Sequence, residues 1–292
     1  MSKSKVYFTS VLEPKSLITL YEKLDIKLSG NIAVKLHSGE EGNQNYLKPE
    51  FVKELIDYVN GTVVECNTAY EGERNTTEKH KKLMEKHGWS KHFNVDILDA
   101  ESDIVLENPN GKIIKKNYVG KNIENYDSVL MLSHFKGHPM GGFGGALKNM
   151  SIGLASSKGK GYIHSNGKED AEYEDIFTSD HDSFLMSMAD ACKTITDYFK
   201  DKIVYINVMV NMSVDCDCCA TAEDPCMKDI GILASTDPVA LDQACIDLVY
   251  NSTDSGKEHL IKRIESRNGL LTIKSAEEQK IGTREYELIN ID

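Results

Sequence analysis

Short runs rich in valine and isoleucine alternate with longer amphipathic stretches along almost the whole chain, and this rhythm restricts the fold more than any other feature. Strand-like runs fall at residues 5–9, 31–37, 61–67, 95–99, 128–134, 203–210 and 231–234. Between them, apolar residues recur at helical spacing over 16–24, 49–59, 76–87, 182–198, 238–250 and 258–267. Pro49 and Pro238 open two of these helices, where a missing N–H costs nothing, and Thr76 or Asn75 caps a third. Strands that alternate with helices are joined by crossovers, which predicts an α/β fold: a mostly parallel sheet with helices on both faces. Residues 104–119 break the rhythm. There Asn108-Pro-Asn-Gly, flanked by alternating residues, signals a hairpin. The chain reads as a single α/β domain over 1–292, or two lobes of one, without internal repeats. Residues 158–182, polar and glycine-containing, read as a surface loop or lid.

Charge narrows the partners. Thirty-four Lys and Arg face 46 Asp and Glu, a net charge of −12, which opposes binding to nucleic acid or to an anionic membrane. No 18-residue apolar run occurs, and the first residues lead into a strand without an apolar signal core, so a cytoplasmic protein is expected. In that compartment the cysteines at 66, 192, 216, 218, 219, 226 and 245 are expected as thiols or metal ligands rather than disulfides.

Polar motifs follow five of the expected strands: His37-Ser-Gly-Glu-Glu-Gly-Asn, Asn67-Thr-Ala-Tyr-Glu-Gly-Glu-Arg, His134-Phe-Lys-Gly-His, Asp215-Cys-Asp-Cys-Cys and Ser235-Thr-Asp-Pro. In a parallel sheet the carboxyl ends of the strands share one edge, where ligands bind. A site is therefore expected there.

The richest segment is HFKGHPMGGFGGALK, residues 134–148. Gly141, Gly142, Gly144 and Gly145 allow close backbone approach, and exposed N–H groups with Lys148 could hold an anion. The spacing is neither a Walker A loop nor a Rossmann fingerprint. His134 and His138 are candidate bases or ligands, although Gly137 and Pro139 argue against their sharing a helix. Cys216 and Cys218 could chelate a soft metal, with Asp217 beside them as a base or hard ligand. The spacing matches neither paired Cys-x2–4-Cys zinc sites nor ferredoxin runs, so buried or redox-active thiols remain the alternative. Arg74 could clamp a carboxylate or phosphate, or pair with Glu71 or Glu73. Asp237 is expected to cap the helix that Pro238 opens, Asp242 to occupy an ordinary helix position, and Trp89 to pack.

Several stretches resemble the "uncharacterised Fe–S center" proteins that share domain of unknown function 362: KLHSGEEGNQNYLKPEFV (35–52), ECNTAYEGERNTTEKH (65–80), SHFKGHPMGGFGGALKNMSIGLAS (133–156), VDCDCC (214–219) and DIGILASTDPVALDQACIDLV (229–249). The resemblance covers nearly the whole chain and implies a common fold without supplying a reaction. Many of those proteins carry an inserted ferredoxin module where this chain has 158–182, which lacks cysteine. An electron-transfer role would then require a separate ferredoxin as partner. A more distant likeness is to the nickel-pincer lactate racemase family. The order His138, Gly144-Gly145, Lys148, His164 is similar to that family's cofactor lysine and nickel-ligating histidine, and NTAYEGERNTTEKH is similar to its first site loop. Tyr70-Glu71 stands where that loop's catalytic histidine is expected, and no counterpart of the family's C-terminal domain is expected. The likeness implies a shared ancestral binding site.

Two readings follow. In the first, the chain is an enzyme of anaerobic metabolism acting on a small anionic metabolite. His134, His138, Lys148 and Asp217 would be catalytic. Arg74 and the glycines at 141, 142, 144 and 145 would bind the anion, and His164, Cys216 and Cys218 would hold a transition metal (iron, nickel or zinc). In the second, the chain is a non-catalytic protein that carries a metal or cluster precursor on its Asp-Cys-Asp-Cys-Cys segment.

Overall fold

A computed structural model describes residues 3–292. In chain order the elements are β1 (Ser4–Thr9), α1 (Pro14–Lys23), β2 (Ile32–Lys35), α2 (Pro49–Val59), β3 (Gly61–Glu65), α3 (Thr77–Lys86), α4 (Trp89–His92), β4 (Val95–Ile97), β5 (Asp103–Glu107), β6 (Lys116–Gly120), β7 (Ser128–His134), β8 (Lys136–His138), β9 (Gly142–Gly144), α5 (Ala146–Leu154), α6 (Ser157–His164), α7 (Asp175–Thr178), α8 (His181–Phe199), β10 (Ile203–Met209), β11 (Gly231–Ser235), α9 (Pro238–Asn251), α10 (Lys257–Ser266), α11 (Leu270–Glu278) and β12 (Tyr286–Asn290). No described helix is long and apolar enough to cross a membrane.

Eight strands form one mixed, mostly parallel sheet in the order β12-β1-β11-β10-β7-β2-β3-β4. Every residue of β7 and β10 is buried, as in a strand covered on both faces. Their side chains alternate between two cores. Val129, Met131, Ile203 and Tyr205 join Leu147, Met150, Cys192, Leu241 and Ala244 from α5, α8 and α9. Leu130, Leu132, Val204 and Ile206 join Leu17, Leu20, Val52 and Leu55 from α1 and α2, with Trp89 fully buried beside them. β5 and β6 form the expected antiparallel hairpin.

Three differences from the sequence-based expectation have physical causes. β11 runs antiparallel to both β1 and β10, so its carboxyl end lies at the sheet edge opposite to that of β7. Residues 157–164 are helical rather than loop: Ser156 accepts the N–H of Gly159, and Tyr162 and Ile163 pack against Tyr118 and Phe184. Gly159 and Gly161 weaken the local helix signal, but a side chain at 159 would meet the Tyr118 carbonyl oxygen at 2.0 Å, so close packing requires glycine there. α5 follows directly on the glycine run, where its first turn is masked in the sequence.

The strand order sets the position of the site. From β2 the chain builds outward through β3 and β4, whereas from β7 it builds the other way through β10. The carboxyl ends of β2 and β7 therefore flank the topological switch point, where α/β sheets open a crevice. Asn149 of α5 spans this opening, its amide donating to Lys35 O at 3.1 Å and Leu132 O at 3.3 Å.

Candidate functional site

At this switch point lies a cavity of about 340 Å³. Four of the five polar motifs reach it, through His37, through Thr68, Tyr70 and Arg74, through His134, Lys136 and His138, and through Cys216 and Cys218. The fifth motif does not, because β11 is reversed. Ser235 pairs with Tyr205 near the start of β10, and Asp237 caps α9 while accepting from Ser4 Oγ at 2.7 Å.

Asp217 is enclosed at 1% exposure between His134 and Lys136. Its oxygens lie 2.9 and 3.0 Å from His134 Nδ1, and Lys136 Nζ is 2.9 Å away. Burial alone would raise its pKa, but His134 and Lys136 outweigh it and hold the carboxyl well below the usual range. His134 Nε2 donates to the Val210 carbonyl at 2.6 Å. Both ring nitrogens thus face acceptors, and neither His134 nor Asp217 has a free proton-accepting atom. Together they tie the end of β7 to the cysteine segment.

The glycine turn is also used internally. Met140 and Gly141 donate their N–H groups to His138 Nδ1 at 3.1 and 2.8 Å. Gly142 and Gly144 pair with β8. The first amides of α5, on Ala146 and Leu147, donate to Asp242 at 2.8 and 2.9 Å. A Cβ at Gly145 would meet Asp242 at 2.4 Å. Asp242 is therefore no ordinary helix position: it supplies, from within the chain, the anion that the helix terminus attracts. Burial raises its pKa to about 6 against the pull of these hydrogen bonds. The turn positions His138 and leaves few free amides for a ligand. Arg74, at 3% exposure, binds Glu40 at 3.1 Å and the Tyr70 hydroxyl at 2.6 Å rather than Glu71 or Glu73.

Further cations line the cavity that sequence reasoning did not single out. Lys35 pairs with Glu65 at 2.8 Å. Lys160 donates to Ala155 O at 2.6 Å, its pKa lowered by burial. Lys35, Lys136, Lys148, Lys160 and Arg74 stand against one lining carboxylate, Glu65, in a protein of net charge −12. Lys148 makes no salt bridge or side-chain hydrogen bond among the described residues, and its charge acts on His138, His164, Cys216 and Cys218. Signals for Lys35 and Glu65 existed only as polar residues ending strands that otherwise read as buried.

Among the described residues, one group could hold a metal ion: His138, Cys216 and Cys218, whose donor atoms lie within 4.8 Å of one another. His164, expected as a ligand, stands outside it. Cys216 is 1% exposed, and burial with a contact from Cys218 pushes its thiol up to about 11. The Cys218 thiol is pulled down by Cys216, but Cys219 and burial leave it at about 11. The His138 ring is neutral, its pKa lowered to about 4 by burial and then Lys148. Because Nδ1 accepts two amides, the ring hydrogen sits on Nε2, 3.9 Å from Cys218 Sγ. An ion bound there would displace that hydrogen together with those of the thiols. Two sulfurs and an imidazole suit iron, nickel or zinc.

An α/β sheet whose switch-point cavity gathers lysines, an arginine and a Cys-x-Cys pair defines the class of protein. Within that class, the chain belongs to the family described as domain of unknown function (DUF362), which it matches over residues 32–247. No curated protein matches the sequence. Among solved structures, the chain is similar to the lactate racemase apoprotein from Thermoanaerobacterium thermosaccharolyticum, with 15% identity and a TM-score of 0.41 over 69% of this chain and 50% of that one. It is also similar to a protein from Thermotoga maritima, with 11% identity and a TM-score of 0.44 over 87% of this chain and 58% of that one. The chain thus spans between half and three-fifths of the length of these structures.

Proposed function

We propose that the chain is an enzyme acting on a small anionic metabolite, bound in the switch-point cavity beside a transition metal held by Cys216, Cys218 and His138. One observation carries this reading: Lys148, a cation without a partner among the described residues, shares the cavity with the thiol pair and with four other cations. A charge in a cavity is costly unless it is paired or solvated, and an incoming anion supplies the missing counter-charge. The metal would add a Lewis acid at the same place. The residues Arg74, Lys136 and Lys35 hold the walls through their own ion pairs and add to the positive field.

Calorimetric titration with malonate and with inorganic phosphate tests the anion site. Binding should weaken ~10-fold or more in Lys148→Ala, consistent with about 1.4 kcal/mol or more for a charge-assisted contact. Binding unchanged by that substitution would contradict the reading. The carrier reading is favoured by one feature, the partial exposure of Cys218 and Cys219. It expects metal transfer to an acceptor chelator without any dependence on Lys148.

A further inference from the structure

We propose that His164 is the proton acceptor of this cavity, taking a hydrogen from a carbon atom of the bound anion; the inference rests on the anion reading above. Four imidazoles line the cavity: His37, His134, His138 and His164. Their hydrogen bonds decide which of them can offer a lone pair. His134 donates from both nitrogens, to Asp217 and to Val210 O. His37 Nδ1 accepts the Gly39 N–H at 3.0 Å, so its hydrogen lies on Nε2. His138 is arranged likewise by Met140 and Gly141. These three rings present N–H groups or are fully engaged.

His164 has the opposite arrangement. Its Nδ1 stands 2.7 Å from the Lys160 carbonyl oxygen, which can only accept, so the hydrogen is on Nδ1 and Nε2 keeps its lone pair. The ring is stacked on Phe184 at 4.6 Å and 21°, which fixes its direction. It lies outside the His138–Cys216–Cys218 group. Burial, opposed by the Lys160 carbonyl and reinforced by Lys148 and Lys160, brings its pKa to about 4. The ring is therefore neutral at pH 7. An anion that neutralises Lys148 removes one of the charges that weaken this base, so ligand binding strengthens it.

Protons on oxygen and nitrogen exchange with water unaided, so a placed base matters most for a proton on carbon. In the step, the C–H bond breaks and its hydrogen passes to Nε2 as a proton. The electron pair stays on the anion, whose new charge the Lys148 ammonium offsets. Reversal returns the proton to carbon. The ligand class is accordingly a carboxylate with an acidic C–H beside a carbonyl.

Deuterium wash-in from D2O into pyruvate, oxaloacetate and acetoacetate, followed by proton NMR, tests this on the metal-loaded protein. At least one of these anions should bind in a Lys148-dependent manner and exchange. His164→Gln should cut the exchange ~100-fold or more while leaving its calorimetric affinity within ~3-fold. Lys148-dependent binding without wash-in above the protein-free rate, or protein-dependent wash-in that survives His164→Gln, would overturn the proposal and leave the anion reading intact. Loss of Lys148-dependent binding for every probe would remove both. Should His164→Gln fail to fold, nitrogen-15 histidine spectra of the unaltered protein decide. The hydrogen on Nδ1 of His164 supports the proposal, and the hydrogen on Nε2 overturns it.

Discussion

Lys35 and Glu65 are 1% and 3% exposed, and each is tolerable in the interior only because of the other. Burial would raise the Glu65 pKa, but Lys35, His37 and His80 hold it far below the usual carboxylate range. Lys35→Met should therefore destabilise the fold by about 3–5 kcal/mol in urea unfolding, because it strands the carboxylate. Lys35→Met with Glu65→Leu should recover most of that loss, and equal destabilisation by the single and double variants would contradict this account. Pairs like this one were not legible in the sequence, since the partners lie 30 positions apart and nothing local announces them. Asp242 is a similar case: its role depends on two amides nearly a hundred positions earlier. His138, Lys148, Cys216 and Cys218 did stand out, because glycine-rich and Cys-x-Cys neighbours are unusual contexts. Their local appearance did not reveal the assignments, however. Hydrogen-bond partners make His134 a donor at both nitrogens and His164 a ring with a free lone pair.

At the scale of elements, the alternation of strands and helices carried most of the architecture. α2 and β7 were legible to the residue, with Pro49 marking one start and the apolar Val-Leu-Met-Leu run after Ser128 the other. The direction of β11 was not, because a short strand buried on both faces reads the same in either direction. That reversal removes Ser235 and Asp237 from the site edge. α6 was masked for another reason, the poor helix propensity of its two glycines. Gly159→Ala gives a concrete check. On propensity alone it would stabilise a helix by about 1 kcal/mol. With Tyr118 O only 2.0 Å from the new Cβ, it should instead destabilise the protein by about 1–3 kcal/mol, read as a lower urea midpoint. A rise in midpoint would contradict the packing of α6 described above.

The whole molecule combines an acidic surface balance with a cationic cavity, and it buries several histidines in the neutral form. Burial, partly opposed by Glu65, lowers the His80 pKa to about 3, and burial brings His138 and His164 to about 4. Between about pH 6.5 and these values the unfolded chain binds protons that the folded chain refuses. The stability these rings contribute is thus complete above about pH 6.5 and is lost as the pH falls toward 4, by up to about 1.4 kcal/mol per pH unit for each such histidine, outweighing the single opposing group, Asp242, whose pKa is raised to about 6. Urea midpoints measured from pH 7.5 to 4 should fall steadily, and a flat profile would contradict the neutral burial of these rings.

The most direct test of the central claim is metal content, by elemental analysis of protein purified without oxygen. One transition metal ion per chain is expected in the unaltered protein. It should be lost in Cys216→Ala with Cys218→Ala, weakened in His138→Ala, and retained in His164→Gln. Absence of metal from the unaltered protein, or full occupancy without the two cysteines, would contradict a metal centre at the switch point.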